Sequence, residues 1–121
     1  MDDFVIYEKP TCSKCRAASA LLDAAGRPYR RIRYHEERIP AEKLRELIVK
    51  SGLPPQEFVR TKEDSFKKLK RPVSQLSLDD IVSLLAADPD LIERPILECG
   101  SRVTLGRPTE RAAAFIAECS R

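Results

Sequence analysis

Two cysteines three residues apart, Cys12 and Cys15, are the residues of this 121-residue chain that packing alone explains least well. They follow the apolar run 4–7, which is typical of a buried strand, and precede residues 17–25, which have high helix propensity. This order predicts that Cys12 lies at a strand-to-helix turn, near the start of the helix. Free backbone N–H groups and the helix dipole at that position favour a thiolate, which is the nucleophilic form of cysteine. Because residues three apart share a helix face, the spacing also allows a Cys12–Cys15 disulfide.

Composition limits the classes of protein to which the chain can belong. Hydrophobic residues make up 42% and charged residues 34% of it, and a chain of this length suffices for one compact domain, residues 1–121. No stretch is long enough to span a membrane, and the acidic start Met1-Asp2-Asp3 is unlike an export signal. We therefore expect a cytoplasmic protein with reduced cysteines and no membrane partner. The net charge of +3 is too small to argue for direct nucleic-acid binding.

The other two cysteines do not complete a metal site. Cys99 and Cys119 lie far apart and form no second Cys-X-X-Cys motif, so structural zinc is the less favoured interpretation of four cysteines. We predict no metal, and place Cys99 in a turn region and Cys119 in the last helix. His35 is the one histidine, and its charged surroundings predict a surface loop.

The order of predicted elements is strand, helix, strand, helical block, hairpin and helix. The predicted bounds are 13–25 for the first helix, 29–34 for an edge strand, about 41–88 for the helical block, and 109 to about 118 for the last helix. A strand–helix–strand unit is a right-handed crossover and makes its strands parallel. A Cys-X-X-Cys motif in that unit indicates an α/β, thioredoxin-like fold of the glutaredoxin type. We predict a mixed sheet of about four strands, with a helical insertion between the second strand and the C-terminal hairpin.

Three later arginines are candidates for an anion site. Arg60 lies in the helical block, Arg94 directly precedes Pro95, and Arg107 lies between a glycine and a proline. Taken singly, each is most simply a surface charge. Arg94 is the exception, because thioredoxin-like folds place a cis-proline at the start of the third strand, facing the cysteine. A cation beside that proline would point at the thiol.

Four short segments carry a further signal through their joint order. They are Lys9-Pro10-Thr11-Cys12, Arg60, Arg94-Pro95-Ile96 and Gly106-Arg107-Pro108. In them the chain resembles, over nearly its whole length, the glutaredoxin-dependent arsenate reductases and their relatives, which include Spx-type regulators.

This resemblance implies a set of roles. Cys12 would be the nucleophile, and Arg60, Arg94 and Arg107 would hold a small oxyanion. Glutathione would be the co-substrate, and glutaredoxin or thioredoxin the electron donor. Planar guanidinium groups match the oxygens of a tetrahedral anion, and nearby cations lower a thiol pKa. Pro95 is predicted to support the site.

The chain departs from the reductase pattern in two places. Glu8 and Lys9 stand where the reductases have histidine and asparagine, and an anionic Glu8 would oppose a thiolate unless Lys9 or Arg16 pairs with it. Arg16 is therefore predicted to be a second supporting residue. Cys15 replaces the usual serine or threonine and gives the cysteine pair that Spx-type proteins carry. It is a candidate resolving thiol, which would close a disulfide with Cys12.

Two functions follow, with a third outcome beside them. The first is a thiol oxidoreductase that acts on arsenate, another oxyanion or a glutathione mixed disulfide; the presence of all three arginines favours it. The second is an Spx-like redox regulator, in which a Cys12–Cys15 disulfide changes docking on the RNA polymerase α subunit. The third hypothesis is a folded member of the family without catalytic activity.

Overall fold

The computed structural model describes residues 3–119, so the predicted acidic start at Met1 and Asp2 lies outside the described residues. The strands are β1 (Phe4–Glu8), β2 (Tyr29–Arg33), β3 (Ile96–Cys99) and β4 (Arg102–Leu105). The α-helices are α1 (Ser13–Ala24), α2 (Ala41–Ser51), α3 (Asp64–Lys67), α4 (Leu78–Ala87) and α5 (Thr109–Cys119). Short 3-10 helices cover Pro55–Phe58, Val73–Gln75 and Pro89–Leu91. Within residues 3–119, no helix has the length and apolar character that a membrane crossing requires.

The four strands form one mixed sheet in the order β2-β1-β3-β4. β1 runs parallel to β2, with Phe4 opposite Tyr29, as a crossover through α1 requires. β3 runs antiparallel to both β1 and β4. The predicted mixed sheet of thioredoxin-like type is confirmed, and β2 lies at its edge as expected.

Helices cover both faces of this sheet. The alternation of side chains along β1 decides which residue enters which core: Phe4 and Ile6 join a cluster with α1 and α5, whereas Tyr7 joins a cluster with α2 and α4. The helices between β2 and β3 therefore pack on one face, and α1 and α5 pack on the other. The sheet lies between these two layers of helices, which leaves the ends of its strands available for a functional site.

Most element boundaries follow local signals. Gly52 ends α2 with a left-handed φ of 69°, which glycine adopts without steric cost. Ser77 and Asp80 form a reciprocal capping box at the start of α4. Two predictions were slightly long: α1 ends at Ala24 and β2 ends at Arg33.

The predicted hairpin is present, but its turn is tighter than expected. Cys99 is the last residue of β3 and is buried, so the prediction that it lies in a turn was wrong. It pairs with Arg102 in the ladder, because the chain reverses over Gly100 and Ser101. Cys119 is the last residue of α5, as predicted.

The register of the sheet brings two loops together. Tyr7 of β1 lies opposite Ile96 of β3, so the residues that follow β1 and those that precede β3 leave the sheet at the same edge. The first of these loops leads to Cys12, and the second contains the cis Arg94–Pro95 bond. This topology places Arg94 beside Cys12.

Candidate active site

Cys12 occupies the cap position of α1, with extended backbone angles, and its thiol is partly exposed. Burial by itself would disfavour the thiolate. The pKa of Cys12 is nevertheless lowered, because the backbone N–H groups of Cys15 and Lys14, the Cys15 thiol and the Arg94 guanidinium all stabilise a negative sulfur. A thiolate is therefore available at this position at lower pH than for an ordinary cysteine.

Cys15 has the opposite character. Its side chain is 1% exposed, and burial is the main reason that its pKa is raised to about 12. The neighbouring Cys12 and the carboxylate of Glu8 add to the shift. Both thiols are free in the structure. The pair therefore consists of one activated thiol and one thiol that stays protonated.

Arg94 lies beside Cys12, and the residue is 8% exposed. Burial opposes its charge, yet the pKa of Arg94 is raised because Tyr34 and Cys12 lie close to the guanidinium. No acceptor within residues 3–119 takes a hydrogen bond from Arg94 Nε or Nη1. Among the same residues, no carboxylate forms an ion pair with the guanidinium. Buried donors without partners are costly, so this cation is suited to a negatively charged ligand.

Tyr34 is part of the same surroundings, although sequence reasoning treated it as a strand residue. It follows the end of β2 and is fully buried. Its hydroxyl lies near Arg94 but makes no hydrogen bond of standard geometry within the described chain. Burial raises the pKa of Tyr34, so the hydroxyl stays protonated and can donate a hydrogen bond. We call Cys12, Arg94 and Tyr34 the thiol end of the site.

Pro95 is held in place by the segment after β4. The backbone N–H of Gly106 donates to the Pro95 carbonyl at 2.8 Å. A Cβ at position 106 would lie 2.8 Å from Cγ of Pro95 and 3.5 Å from Cβ of Ala112. The glycine of the Gly-Arg-Pro motif is therefore needed because the backbone packs directly on the cis-proline.

The charges around the Cys12 loop pair differently from the expectation. Glu8 is 2% exposed and accepts two hydrogen bonds from Arg31 Nη1, at 3.1 and 3.3 Å. Arg31 thus takes the place proposed for Lys9 or Arg16. Since Glu8 acts on Cys15 and is neutralised by Arg31, it does not prevent a thiolate at Cys12.

Lys9 and Arg16 have other partners. Lys9 Nζ lies 3.8 Å from Asp90 Oδ1, and Asp90 also binds Nε2 of His35 at 2.6 Å. Arg16 Nη1 donates to the Pro10 carbonyl at 3.5 Å. His35 is a surface residue, as predicted, and lies in a turn.

Arg60 and Arg107 meet on a carboxylate that sequence reasoning did not consider. Glu93 Oε1 accepts from Arg107 Nη1 at 2.7 Å and from Arg60 Nη1 at 2.9 Å. These residues line an open cleft of about 200 Å³ together with Val59, Thr61 and Lys62. We call Arg60, Glu93 and Arg107 the carboxylate end. Glu93 directly precedes Arg94 in the chain, and this adjacency is the one feature of the sequence that could have indicated it.

The arrangement joins an activated thiol to a buried cation. Two further arginines, Arg60 and Arg107, bind the carboxylate of Glu93, which directly precedes Arg94 in the chain. Such a site can hold an anion and attack it with sulfur. Among residues 3–119, His, Cys, Asp and Glu side chains form no group of three that could hold a metal ion.

Comparison with known proteins points in the same direction. Residues 7–115 match the model of the ArsC family. The arsenate reductase of Neisseria meningitidis is 31% identical over 117 residues, which cover 96% of this chain and 100% of that protein. The solved structure of an arsenate reductase from Vibrio cholerae superposes with a TM-score of 0.85 at 38% identity, covering 93% of this chain and 97% of that one.

A regulator is also among the relatives. The global transcriptional regulator Spx of Enterococcus faecalis is 26% identical over 111 residues, or 92% of this chain and 84% of that protein. The family match nevertheless spans most of the chain and agrees with the fold. This chain belongs to the ArsC family.

Proposed function

We propose that this chain is a thiol oxidoreductase that reduces a small tetrahedral oxyanion, with arsenate as the first candidate and Cys12 as the nucleophile. The observation that carries the proposal is the Arg94 guanidinium, buried beside an activated thiol with two nitrogens unpartnered within residues 3–119. A buried cation is stable when an anion completes its surroundings. An oxyanion that approaches Cys12 would provide the missing acceptors.

The first step is attack of the Cys12 thiolate on arsenic. A sulfur–arsenic bond forms, and one oxygen leaves as water after it has taken up protons, so arsenic remains in its higher oxidation state. Arg94 balances the charge of the bound anion throughout this step. The protonated hydroxyl of Tyr34 lies near Arg94 and is a candidate hydrogen-bond donor to an anion oxygen.

The second step is reduction. A glutathione thiolate attacks the Cys12 sulfur, a disulfide forms between Cys12 and glutathione, and the sulfur–arsenic bond breaks with its electron pair left on arsenic. Arsenite departs. The thiol of glutaredoxin takes the glutathione from the mixed disulfide, which restores Cys12, and a second glutathione then leaves with the first as glutathione disulfide. Two thiols are oxidised to one disulfide, which balances the two electrons that arsenic gains.

A coupled assay with NADPH, glutathione reductase, glutathione, glutaredoxin and arsenate tests this function. We expect arsenate-dependent NADPH consumption that falls at least about a thousandfold in Cys12→Ser, as when an enzyme loses its nucleophile. Cys119→Ser is the matched control, because it removes a thiol at the end of α5, outside the site. Equal rates for wild type and Cys12→Ser would contradict the proposal.

A Cys15→Ser variant separates two possible reductants, external glutathione and Cys15 itself. The pKa of Cys15 is raised to about 12, so at neutral pH its thiol is a poor attacking group and external glutathione should resolve the adduct. Cys15→Ser should then retain most of the wild-type rate. A collapse of activity in this variant would assign the resolving step to Cys15.

A redox-switched regulator is the second candidate function. It is favoured by the contact between the two free thiols, in which Cys15 stabilises the Cys12 thiolate, and by the Spx relatives. Under this function, oxidation to a Cys12–Cys15 disulfide would change binding to the RNA polymerase α subunit. A pull-down of the α subunit with oxidised and reduced protein tests it, and equal retention in both states would exclude a switch.

A further inference from the structure

The carboxylate end already contains an anion, which is the side chain of Glu93. A single oxygen of Glu93 accepts three hydrogen bonds, from Arg107 Nη1 at 2.7 Å, from Arg60 Nη1 at 2.9 Å and from the backbone N–H of Arg94 at 3.2 Å. Two guanidinium groups and one backbone N–H are donors of the kind that bind oxyanions. Glu93 is therefore bound as a ligand would be.

The backbone fixes Glu93 opposite Arg60. Glu93 N donates to the Phe58 carbonyl at 2.8 Å, and Arg60 N donates to the Leu91 carbonyl at 2.8 Å. The two segments are thus tied together on both sides of the antiparallel bridge between Val59 and Ile92. The Glu93 side chain is 21% exposed and that of Arg60 is 23% exposed, so solvent screens their attraction only in part.

A count of charges shows what this contact does to the site. Arg60 is also bound by Glu63, whose Oε1 lies 3.0 Å from Arg60 Nε. Arg60 and Arg107 together carry two positive charges, and Glu63 and Glu93 carry two negative charges. These four charges cancel, and the positive charges that remain around them are those of Arg94 and of Lys62, which lines the cleft.

We propose that Glu93 determines the anion specificity of this site by occupying, as an internal anion, the place at Arg60 and Arg107 that a bound oxyanion would otherwise take. The inference rests on the proposed oxyanion site. A tetrahedral dianion can use all three arginines only when the Glu93 carboxylate withdraws from them. The site therefore binds dianions weakly, and it discriminates against them more strongly than against monoanions of the same shape.

Sulfate and perchlorate, a tetrahedral dianion and a tetrahedral monoanion, are the probes for this proposal. Isothermal titration should show that Glu93→Gln binds sulfate at least about tenfold more tightly than wild type. In the wild type the Glu93 carboxylate competes with sulfate for Arg60 and Arg107, and the variant lacks this charge. The affinity for perchlorate should change by a smaller factor. Glutamine keeps the size of the side chain and an acceptor oxygen, and a thermal melt checks that the variant is folded.

Glu57→Gln is the matched control, since it also removes a carboxylate from an arginine, Arg111, at a distance of 3.4 Å and outside the site. Sulfate affinity that is unchanged or weaker in Glu93→Gln would overturn the proposal and make Glu93 a brace for the two arginines. An equal gain in Glu57→Gln would overturn it as well, because the effect would then be one of net charge.

The proposed function can fail separately from this inference. If wild type binds sulfate, Arg94→Ala does not, and Glu93→Gln shows no gain, then the oxyanion site stands and the role of Glu93 is refuted. If neither wild type nor Glu93→Gln binds sulfate at millimolar concentration, then both proposals are refuted.

Discussion

The thiol end and the carboxylate end of the site contain the same kind of cation in opposite conditions. At the thiol end, Arg94 is almost fully buried, and two of its nitrogens lack a hydrogen-bond partner within residues 3–119. At the carboxylate end, Arg60 and Arg107 are more exposed, and both are bound by Glu93. Arg94 therefore has nitrogens that can still bind an anion, whereas Arg60 and Arg107 are already bound to a carboxylate of the protein.

This difference shows that three arginines in the expected order along the chain need not contribute equally to anion binding. An arginine whose charge is already balanced gives up a hydrogen bond to bind a new anion, so its net contribution is small. A buried arginine with two nitrogens still unpartnered gains more from the same ligand. The function of the site should therefore depend on Arg94 more than on the other two.

Activity measurements on Arg94→Ala test this ranking most severely. We expect kcat/KM for arsenate to fall about 10²- to 10³-fold, as for other enzymes that lose one donor to a developing anion. Arg111→Ala, which removes an exposed arginine bound to Glu57, should retain the wild-type rate. A loss of less than a few-fold in Arg94→Ala would remove the thiol end from the mechanism.

Arg107→Ala should have a smaller effect on the same assay. Its guanidinium is already engaged by Glu93 at 2.7 Å, so we expect a decrease of about tenfold, near the lower limit for one hydrogen bond to a charged group. The comparison between the two ends would fail if Arg107→Ala were as damaging as Arg94→Ala.

Gly106→Ala tests whether the packing on Pro95 supports the thiol end. The added Cβ would lie 2.8 Å from the proline ring, and overpacking of this kind costs about 1–3 kcal/mol of stability. Chemical denaturation should show this loss, and Cys12 should become less reactive because Arg94 shifts with Pro95. Wild-type stability and reactivity would show that the contact has no such role.

The pH dependence of alkylation separates the two cysteines. Because the pKa of Cys12 is lowered, its rate with iodoacetamide should rise with pH and level off below the usual thiol range. Cys15, with a pKa raised to about 12, should remain unmodified until much higher pH. Peptide mapping by mass spectrometry gives both profiles, and similar profiles for the two residues would contradict the assignment.

Much of the fold follows from local features of the sequence. The apolar run of β1, the left-handed glycine at the end of α2 and the capping box at Ser77 act over a few residues, so each could be predicted in place. The strand–helix–strand order fixed the parallel pair, and the proline after Arg94 indicated where the third strand begins.

The pairing of charges could not be predicted in this way. Glu8 and Arg31 meet because two parallel strands lie side by side, and Arg60 reaches Glu93 across 33 positions of the sequence. Arg107 reaches the same carboxylate from the segment after β4. Many charged residues compete for each partner in a chain that is 34% charged, and only the tertiary arrangement selects among them.

Titration of arsenate into wild type, Arg94→Ala and Arg107→Ala, with Arg111→Ala as the charge control, tests the central claim most directly. The account predicts binding in wild type and in the control, weaker binding in Arg107→Ala, and no detectable binding in Arg94→Ala at millimolar arsenate. Binding by Arg94→Ala with the affinity of wild type would contradict the account, because the thiol end would then not be where the anion is held.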